Sequence, residues 1–392
     1  MITLSERIKK VGASPTLAIT AKAKKMKSEG IDVVSFGAGE PDFDTPVHIK
    51  NAGIDAINKG FTKYTATSGI PELKDAVVEK FKRDNKIDYK QEEVIISCGA
   101  KHVLYNIFQV LCNEGDEVII PSPFWVSYEE MVKLAGAKAV IVETLEKDNF
   151  IPDPKKIENA CTAKTKVIIL NSPNNPTGSV YPENVIRAVA DIAVKKDIIL
   201  ISDEVYETIM YDGAKHFSPA AFGPEYKSHT ITVNAVSKTY SMTGWRIGYA
   251  AGPKDVISAM GRLQDHSTSN PTSIAQKAAA EAIKGPQDSV SLMFQAFDKR
   301  KAFTAEKLKQ IPGITFSDPK GAFYVMINIG KFLGGKYKNA TEMAQALLDE
   351  ANLAIIPCCG FGAPAYLRMS FAISEKEIEK GLDRLKVFLG KV

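Results

Sequence analysis

Short apolar runs alternate with longer amphipathic stretches through the middle of the chain. The runs fall at 94–97, 117–121, 139–143, 167–171, 198–202, 230–236 and 248–252, and valine and isoleucine dominate most of them. Such runs are expected of strands buried on both faces of a sheet. Between them, stretches such as 101–112 and 182–195 place apolar residues at helical spacing. Strands and helices in alternation predict an α/β fold, with a parallel or mostly parallel sheet covered by helices. Ligands of such sheets bind at the carboxyl ends of the strands, so the residues just after each run are the candidates for chemistry.

The ends of the chain read differently. Residues 291–310 predict one long helix. Beyond Gly313 come strand-like pieces at 321–329 and 366–372 and amphipathic helices at 341–350 and 375–388, the pattern of a smaller α+β domain. The segment up to about residue 47 is too short to fold alone and is expected to pack with that domain. The expected division is a large domain over 48–290 and a small one formed by 1–47 and 291–392.

Composition narrows the function classes. The chain has 392 residues, 45% hydrophobic and 24% charged, the balance of a soluble globular protein with a sizeable core. A net charge of +4 from scattered basic residues argues against a nucleic-acid partner, which needs clustered Lys and Arg. No apolar run approaches the roughly 18 residues of a membrane span. The first ten residues lack a signal-peptide core. The five cysteines, Cys98, Cys112, Cys161, Cys358 and Cys359, form neither a disulfide framework nor a metal pattern. The expectation is a reduced, cytoplasmic protein without a metal, in which Cys358 and Cys359 are two small buried residues in a turn rather than a redox-active pair.

Lys238 is the sharpest candidate. The run 230–236 delivers it, and Gly244 and Arg246 follow within eight residues. Burial lowers a lysine's pKa, and a neutral amine is a nucleophile. The neighbouring glycine and arginine suit an anion. Together they suggest a lysine that holds a carbonyl cofactor bearing a phosphate. After the run 94–97 come Gly99, Ala100 and Lys101, where a helix start can receive a phosphate. Lys101 opposes the helix dipole there, so an anionic partner would explain it, and a solvated surface lysine is the plain alternative.

Asp203 and Tyr206 follow the run 198–202, one strand–connection–strand unit before Lys238, so all three can reach one crevice. A carboxylate can keep a pyridine nitrogen protonated, and a tyrosine can donate to an oxygen of the same ring. A helix cap and a core tyrosine are the structural alternatives. Asn175, in the stiff loop Asn174-Asn175-Pro176-Thr177-Gly178, offers an amide to a phenolic oxygen or a carboxylate. Trp125 can stack on a planar ring or be plain core. Arg368, inside a strand-like run, needs a partner, and its planar fork fits a carboxylate or a structural ion pair.

These residues in this order resemble the class I aminotransferases of fold type I, which use pyridoxal 5′-phosphate (PLP). The resemblance spans essentially the whole chain. Its carriers are Gly37-Ala38-Gly39-Glu40-Pro41-Asp42, Tyr64 before Gly69-Ile70-Pro71-Glu72-Leu73, Asn175-Pro176-Thr177-Gly178, Asp203-Glu204-Val205-Tyr206, Ser237-Lys238 with Arg246, and Arg368. The bacterial aspartate aminotransferase branch called I-beta is the most similar in pattern. The resemblance implies that Lys238 binds PLP through its amine and later serves as the base. It implies that Asp203 pairs with the pyridine nitrogen, Tyr206 and Asn175 bond the phenolic oxygen, and Trp125 stacks on the ring. Gly99, Ala100, Ser237 and Arg246 would hold the phosphate, with Lys101 beside them and Tyr64 reaching in from a second subunit of a homodimer. Arg368, Asn175 and Gly39 would take the substrate α-carboxylate, while Lys101 and Thr16 meet a distal one.

The implied reaction is a ping-pong transfer between aspartate, or another dicarboxylic amino acid, and 2-oxoglutarate. Prephenate, aromatic, alanine and kynurenine aminotransferases share the scaffold. A PLP-sensing transcription regulator would need an added N-terminal DNA-binding domain, for which the residues before Gly37 are too few. One segment departs from the family: relatives usually carry a glycine after the proline where this chain has Pro357-Cys358-Cys359, and the stretch before Arg368 is a few residues short.

Overall fold

A computed structural model describes residues 2–12 and 15–392, without the side chains of Pro15 and Leu17. Its centre is a seven-stranded sheet in the order Val94–Ser97, Gly248–Ala251, Thr230–Ala235, Ile199–Asp203, Thr165–Asn171, Glu117–Ser122 and Lys138–Glu143. Only Gly248–Ala251 runs against its neighbours; the other strands are parallel, as the sequence pattern predicts. Alternate residues point to opposite faces. Ile95, Val118, Ile169 and Val233 pack under the helices Ala100–Leu111, Ser127–Leu134 and Lys254–Asp265. On the other face, Ile119, Ile168 and Leu200 meet Glu183–Lys195, and Ile96 and Tyr249 meet Pro71–Lys80 and Ser273–Lys284. Both faces are covered, which is why the strands read as continuous apolar runs.

A second, antiparallel sheet is built from Ile356–Pro357, Tyr366–Ser370, Tyr324–Asn328 and Thr315–Phe316. The helices Ala340–Ala351 and Glu375–Leu389 share its core, together with the 22-residue helix Asp288–Lys309. That long helix starts three residues before the expected 291, because Asp288 supplies the acid favoured in a first helical turn. Near the N-terminus, Val34–Ser35 pairs in parallel with Leu353–Ala354, and Ile19, Ala23 and Phe36 join the core of the antiparallel sheet. The short helix Glu6–Lys9 lies instead beside Ser127–Leu134, where the Gly12 amide donates to Glu130 Oε2 at 2.9 Å. Among the described residues, no helix is long and apolar enough to cross a membrane.

Lys238 does not end a strand, as its sequence context suggests. The strand stops at Ala235, and Lys238 lies in the one-turn helix Val236–Thr239. The cause is loss of partners: the Ile199–Asp203 pairing ends at Val233 and the Gly248–Ala251 pairing at Ala235. The chain then closes its own turn, with the Tyr240 amide donating to the Val236 carbonyl.

Candidate active site

A cavity of about 860 Å³ opens at the carboxyl ends of Thr165–Asn171, Ile199–Asp203 and Thr230–Ala235. Parallel register sets Asp203 directly beside Asn171. Asp203 is aligned with Val233 on the strand that leads into Lys238. Every site residue expected from the sequence lines this cavity except Gly99 and Tyr64. Gly99 sits just behind its wall against Arg246. Tyr64 is 91% exposed and turned to the outside.

The Lys238 amine donates to the Gly39 carbonyl. Its side chain is half-buried, open to the cavity but otherwise enclosed. Burial lowers its pKa to about 8; Glu40 acts against this, while Arg368 and Arg246 add to it. A far larger share of this amine is therefore neutral near pH 7 than of an exposed lysine. Asp203 is 3% exposed, and burial raises its carboxyl to about 6 even though a hydrogen bond from Tyr128 pulls the other way. That bond, Tyr128 Oη to Asp203 Oδ2 at 2.5 Å, fixes the carboxylate from behind. Asn171 donates to the Asp203 carbonyl at 3.0 Å and accepts the Asn175 amide at 2.9 Å, which ties two strand ends together.

The arginines show what the cavity is made to receive. Arg368 is 3% exposed. Its terminal nitrogens donate to Asn175 Oδ1 at 3.1 Å and to the Gly37 carbonyl at 3.2 Å, and its Nε is buried without a partner. Arg246 donates to the carbonyls of Thr243 and Cys98. Among the described residues neither guanidinium has a carboxylate within ion-pair distance, an expensive arrangement unless an anion completes it. Gly99 has φ +89°, and a Cβ there would stand 2.3 Å from Arg246 Nη2, so only glycine lets the guanidinium close on the turn. The turn opens the helix Ala100–Leu111, whose first amides have no intrahelical acceptor and favour an anion. Lys101 extends over the Trp125 ring, 4.9 Å from its centroid, and burial lowers its pKa, helped by Arg246. Thr16 Oγ1 is buried without a partner on the same cavity wall. An aldehyde-bearing ring with a phosphate and a basic nitrogen fits this donor set: an amine, an acid held near neutrality, and a cationic turn.

Comparison with known proteins agrees. Residues 31–385 match the family described as aminotransferase class I and II. The chain belongs to that family. It is 51% identical over 387 residues to an aspartate aminotransferase of Bacillus sp. (strain YM-2), covering 98% of this chain and 99% of that one. It is 44% identical over 391 residues to the aspartate/prephenate aminotransferase of Thermus thermophilus, with 99% of each covered. The solved structure of a Thermus thermophilus aspartate aminotransferase with maleate superposes with a TM-score of 0.94 at 43% identity, over 99% of this chain and 100% of that one. The fold is that of these enzymes, the protein is an aminotransferase, and the cofactor of its family is PLP.

Three residues of this aminotransferase cavity escape the sequence reading. Tyr128 sits in an amphipathic helix, where a buried tyrosine is ordinary. Tyr324 stands on a strand of the antiparallel sheet, and its hydroxyl meets that of Tyr206 at 3.0 Å. Glu40 accepts from Thr243 at 2.6 Å; its motif is legible, but not its charge effect on Lys238. Behind Asp203, a polar cluster joins Glu204, Glu207 and His216, whose ligand atoms lie within 4.8 Å of one another. A cation is already there: Lys80 and Asn234 both donate to Glu207 Oε1, Asn85 donates to Glu207 Oε2 and Glu204 Oε2, and Ser202 and Ser218 donate to Glu204 Oε1. The unusual Cys358–Phe361 segment forms a single tight turn in which Cys358 is buried as expected, while Cys359 stays partly exposed because it packs only against the edge of the core that Cys358 and Phe361 join. Its Phe361 carbonyl accepts from the Phe124 amide at 3.0 Å, just before Trp125.

Proposed function

We propose that this aminotransferase exchanges the amino group of L-aspartate, or of another dicarboxylic amino acid, with 2-oxoglutarate in two half-reactions of a ping-pong cycle. The observation that carries this reading is a single cavity with three anion-seeking places around the Lys238 amine. They are Arg246 with the Gly99 turn, Arg368, and Lys101 with Thr16. One phosphate and the two carboxylates of a dicarboxylic substrate would occupy them.

PLP, when bound, supplies a protonated ring that takes up the electrons released when the substrate loses its α-proton. Lys238 would hold it, with Gly99, Ala100, Ser237 and Arg246 at the phosphate and Trp125 against the ring. Asp203 keeps the ring nitrogen protonated, since a cation beside it draws its carboxyl back to the ionised form. Asn175 gives its oxygen to Arg368, which leaves its amide hydrogens free for a phenolic oxygen that Tyr206 would share. Arg368 turns its fork to the α-carboxylate, and Gly39 supports that end. The amine of Lys238 then takes the α-proton and returns it.

Arg368→Lys keeps the charge and loses the planar fork. We expect kcat/KM for aspartate to fall about 100-fold, mostly through KM, consistent with roughly 1.5–3 kcal/mol for a lost hydrogen bond to a charged group. A visible cofactor band should still form on adding PLP, since Arg368 stands at the substrate end of the cavity; an unchanged KM would remove Arg368 from the substrate site.

The proposed working unit is a homodimer in the cytoplasm, with residues 48–290 as its cofactor-binding part and 1–47 with 291–392 as the smaller part that carries Arg368. Val47, Ile54 and Ile57 expose apolar surface along the helix Val47–Asn58, and Tyr64, close by in sequence, is free to reach a neighbouring cavity. Sedimentation of a monomer at micromolar concentration would refute the shared site. Substrate choice is tested by comparing aspartate plus 2-oxoglutarate with glutamate plus prephenate. Efficient use of the first pair is expected. Activity confined to alanine or aromatic amino acids would sink the dicarboxylic reading. Prephenate is a second acceptor to test, because a relative 44% identical carries that activity in its name.

A further inference from the structure

We propose that Tyr324 is a positioning residue for the transfer, acting through Tyr206 to couple the Arg368 clamp to the cofactor's phenolic oxygen. The inference rests on the PLP reading above. Tyr324 and Tyr206 are both buried, their rings meet edge to face at 85°, and their hydroxyls are 3.0 Å apart. On its other side, Tyr324 carries Arg368, whose guanidinium lies 4.5 Å from the ring centroid.

Proton counting gives the bond a direction. Each hydroxyl has one hydrogen and two acceptor lone pairs. If Tyr206 donates to Tyr324, it has no hydrogen left for a ring oxygen. If Tyr324 donates, the hydrogen of Tyr206 is free, and the bond it receives polarises its own hydroxyl into a stronger donor. An anionic phenolic oxygen beside Tyr206 selects the second arrangement. Burial raises the pKa of Tyr324, and the Arg368 cation works against that rise, so the hydroxyl is a better donor than burial alone would leave.

The backbone holds Tyr324 where this requires. Its strand pairs with the Arg368 strand, Tyr324 opposite Ser370 and Met326 opposite Arg368. Its carbonyl presses on the loop that carries Asn175: a Cβ on Gly178 would lie 2.7 Å from the Tyr324 oxygen. Gly39 closes the third side, with its Cβ position 3.6 Å from the Tyr324 hydroxyl. Tyr324 therefore sits where the substrate-carboxylate residues and the ring-oxygen residues meet.

The test is a double-mutant cycle on the PLP-loaded protein: Tyr324→Phe, Tyr206→Phe and the pair. The readout is the pH midpoint of the cofactor's visible absorption band. Phenylalanine keeps the ring, its packing and the Arg368 contact, so folding is not at stake. Losing the relayed hydrogen bond weakens stabilisation of the oxygen's negative charge. Tyr324→Phe should then raise the midpoint by about half a unit, since one unit corresponds to about 1.4 kcal/mol. Tyr206→Phe should raise it further, and adding Tyr324→Phe to it should move nothing more. A Tyr324→Phe midpoint equal to the parent's, or equal shifts in both backgrounds, would overturn the relay and leave the cofactor reading standing. No visible band in the parent protein with added PLP would overturn both.

Discussion

Lys238→Ala is expected to lose at least about 1000-fold in turnover, within the range a positioned acid–base group supplies, while folding as well as the parent. The two halves of that expectation have different causes. Turnover falls because, among the described cavity residues, Lys238 is the amine whose environment lowers its pKa to about 8 and so frees it to accept a proton near neutrality. Folding is spared because the enclosing wall disfavours the ammonium. The unfolded lysine keeps its proton up to its ordinary 10.5, and the folded one releases it near 8. Between those values the unfolded chain binds more protons, so stability of the cofactor-free parent rises with pH across that window. The alanine variant should lack that rise. Thermal melts of both proteins at pH 7 and pH 10, beside a turnover assay, measure both halves. Near-parent turnover in Lys238→Ala would end the proposed mechanism.

Asp203→Asn should cost at least 100-fold in turnover and at the same time stabilise the cofactor-free protein. An amide can accept the Tyr128 hydrogen bond, so the local packing survives. It cannot hold a proton on a ring nitrogen, and the electron sink is lost. The stability sign follows from the shift. Burial raises the Asp203 carboxyl from 3.8 to about 6, so the folded state takes up a proton that the unfolded state does not between those values. Stability conferred at low pH is lost as pH rises through 6. Above that, a buried carboxylate burdens the empty site, and asparagine removes the burden. Melting curves above and below pH 6 should therefore diverge between parent and variant. A variant that is less stable than the parent at pH 8 would mean that Asp203 has a partner in the empty protein beyond Tyr128 and the Val205 amide.

Much of this could be read from the chain because the chemistry sits where periodicity breaks. Most of the seven runs are strands because valine and isoleucine fill both faces; Asp203 and Asn175 stand as polar residues just past two of them, and Arg246 just before the last. What the sequence hid depends on contacts between distant segments. Tyr128 reaches Asp203 across 75 residues, and Tyr206 reaches Tyr324 across 118; no local pattern marks either. The two-residue strands at Val34–Ser35 and Leu353–Ala354 were equally silent, since two residues carry no period. Lys238 was located correctly but given the wrong element, because an apolar residue, Val236, continues the strand pattern one position past the last ladder partner.

The uncompensated arginines have a consequence for how the protein survives in a cell. Arg246, Arg368, Lys101 and Lys238, with Lys24 and Lys27 nearer the rim, share one cavity in which, among the described residues, only Glu40 and Asp203 are carboxylates. Empty, that cavity holds like charges together in partial burial; filled with a phosphate-bearing ring, it discharges them. A ligand present at one hundred times its dissociation constant adds about 2.7 kcal/mol to the folded state. Equilibrium stability, and with it resistance to proteolysis of transiently opened forms, then rises with the concentration of free cofactor. A shortage would be felt first as missing enzyme and only afterwards as slow enzyme.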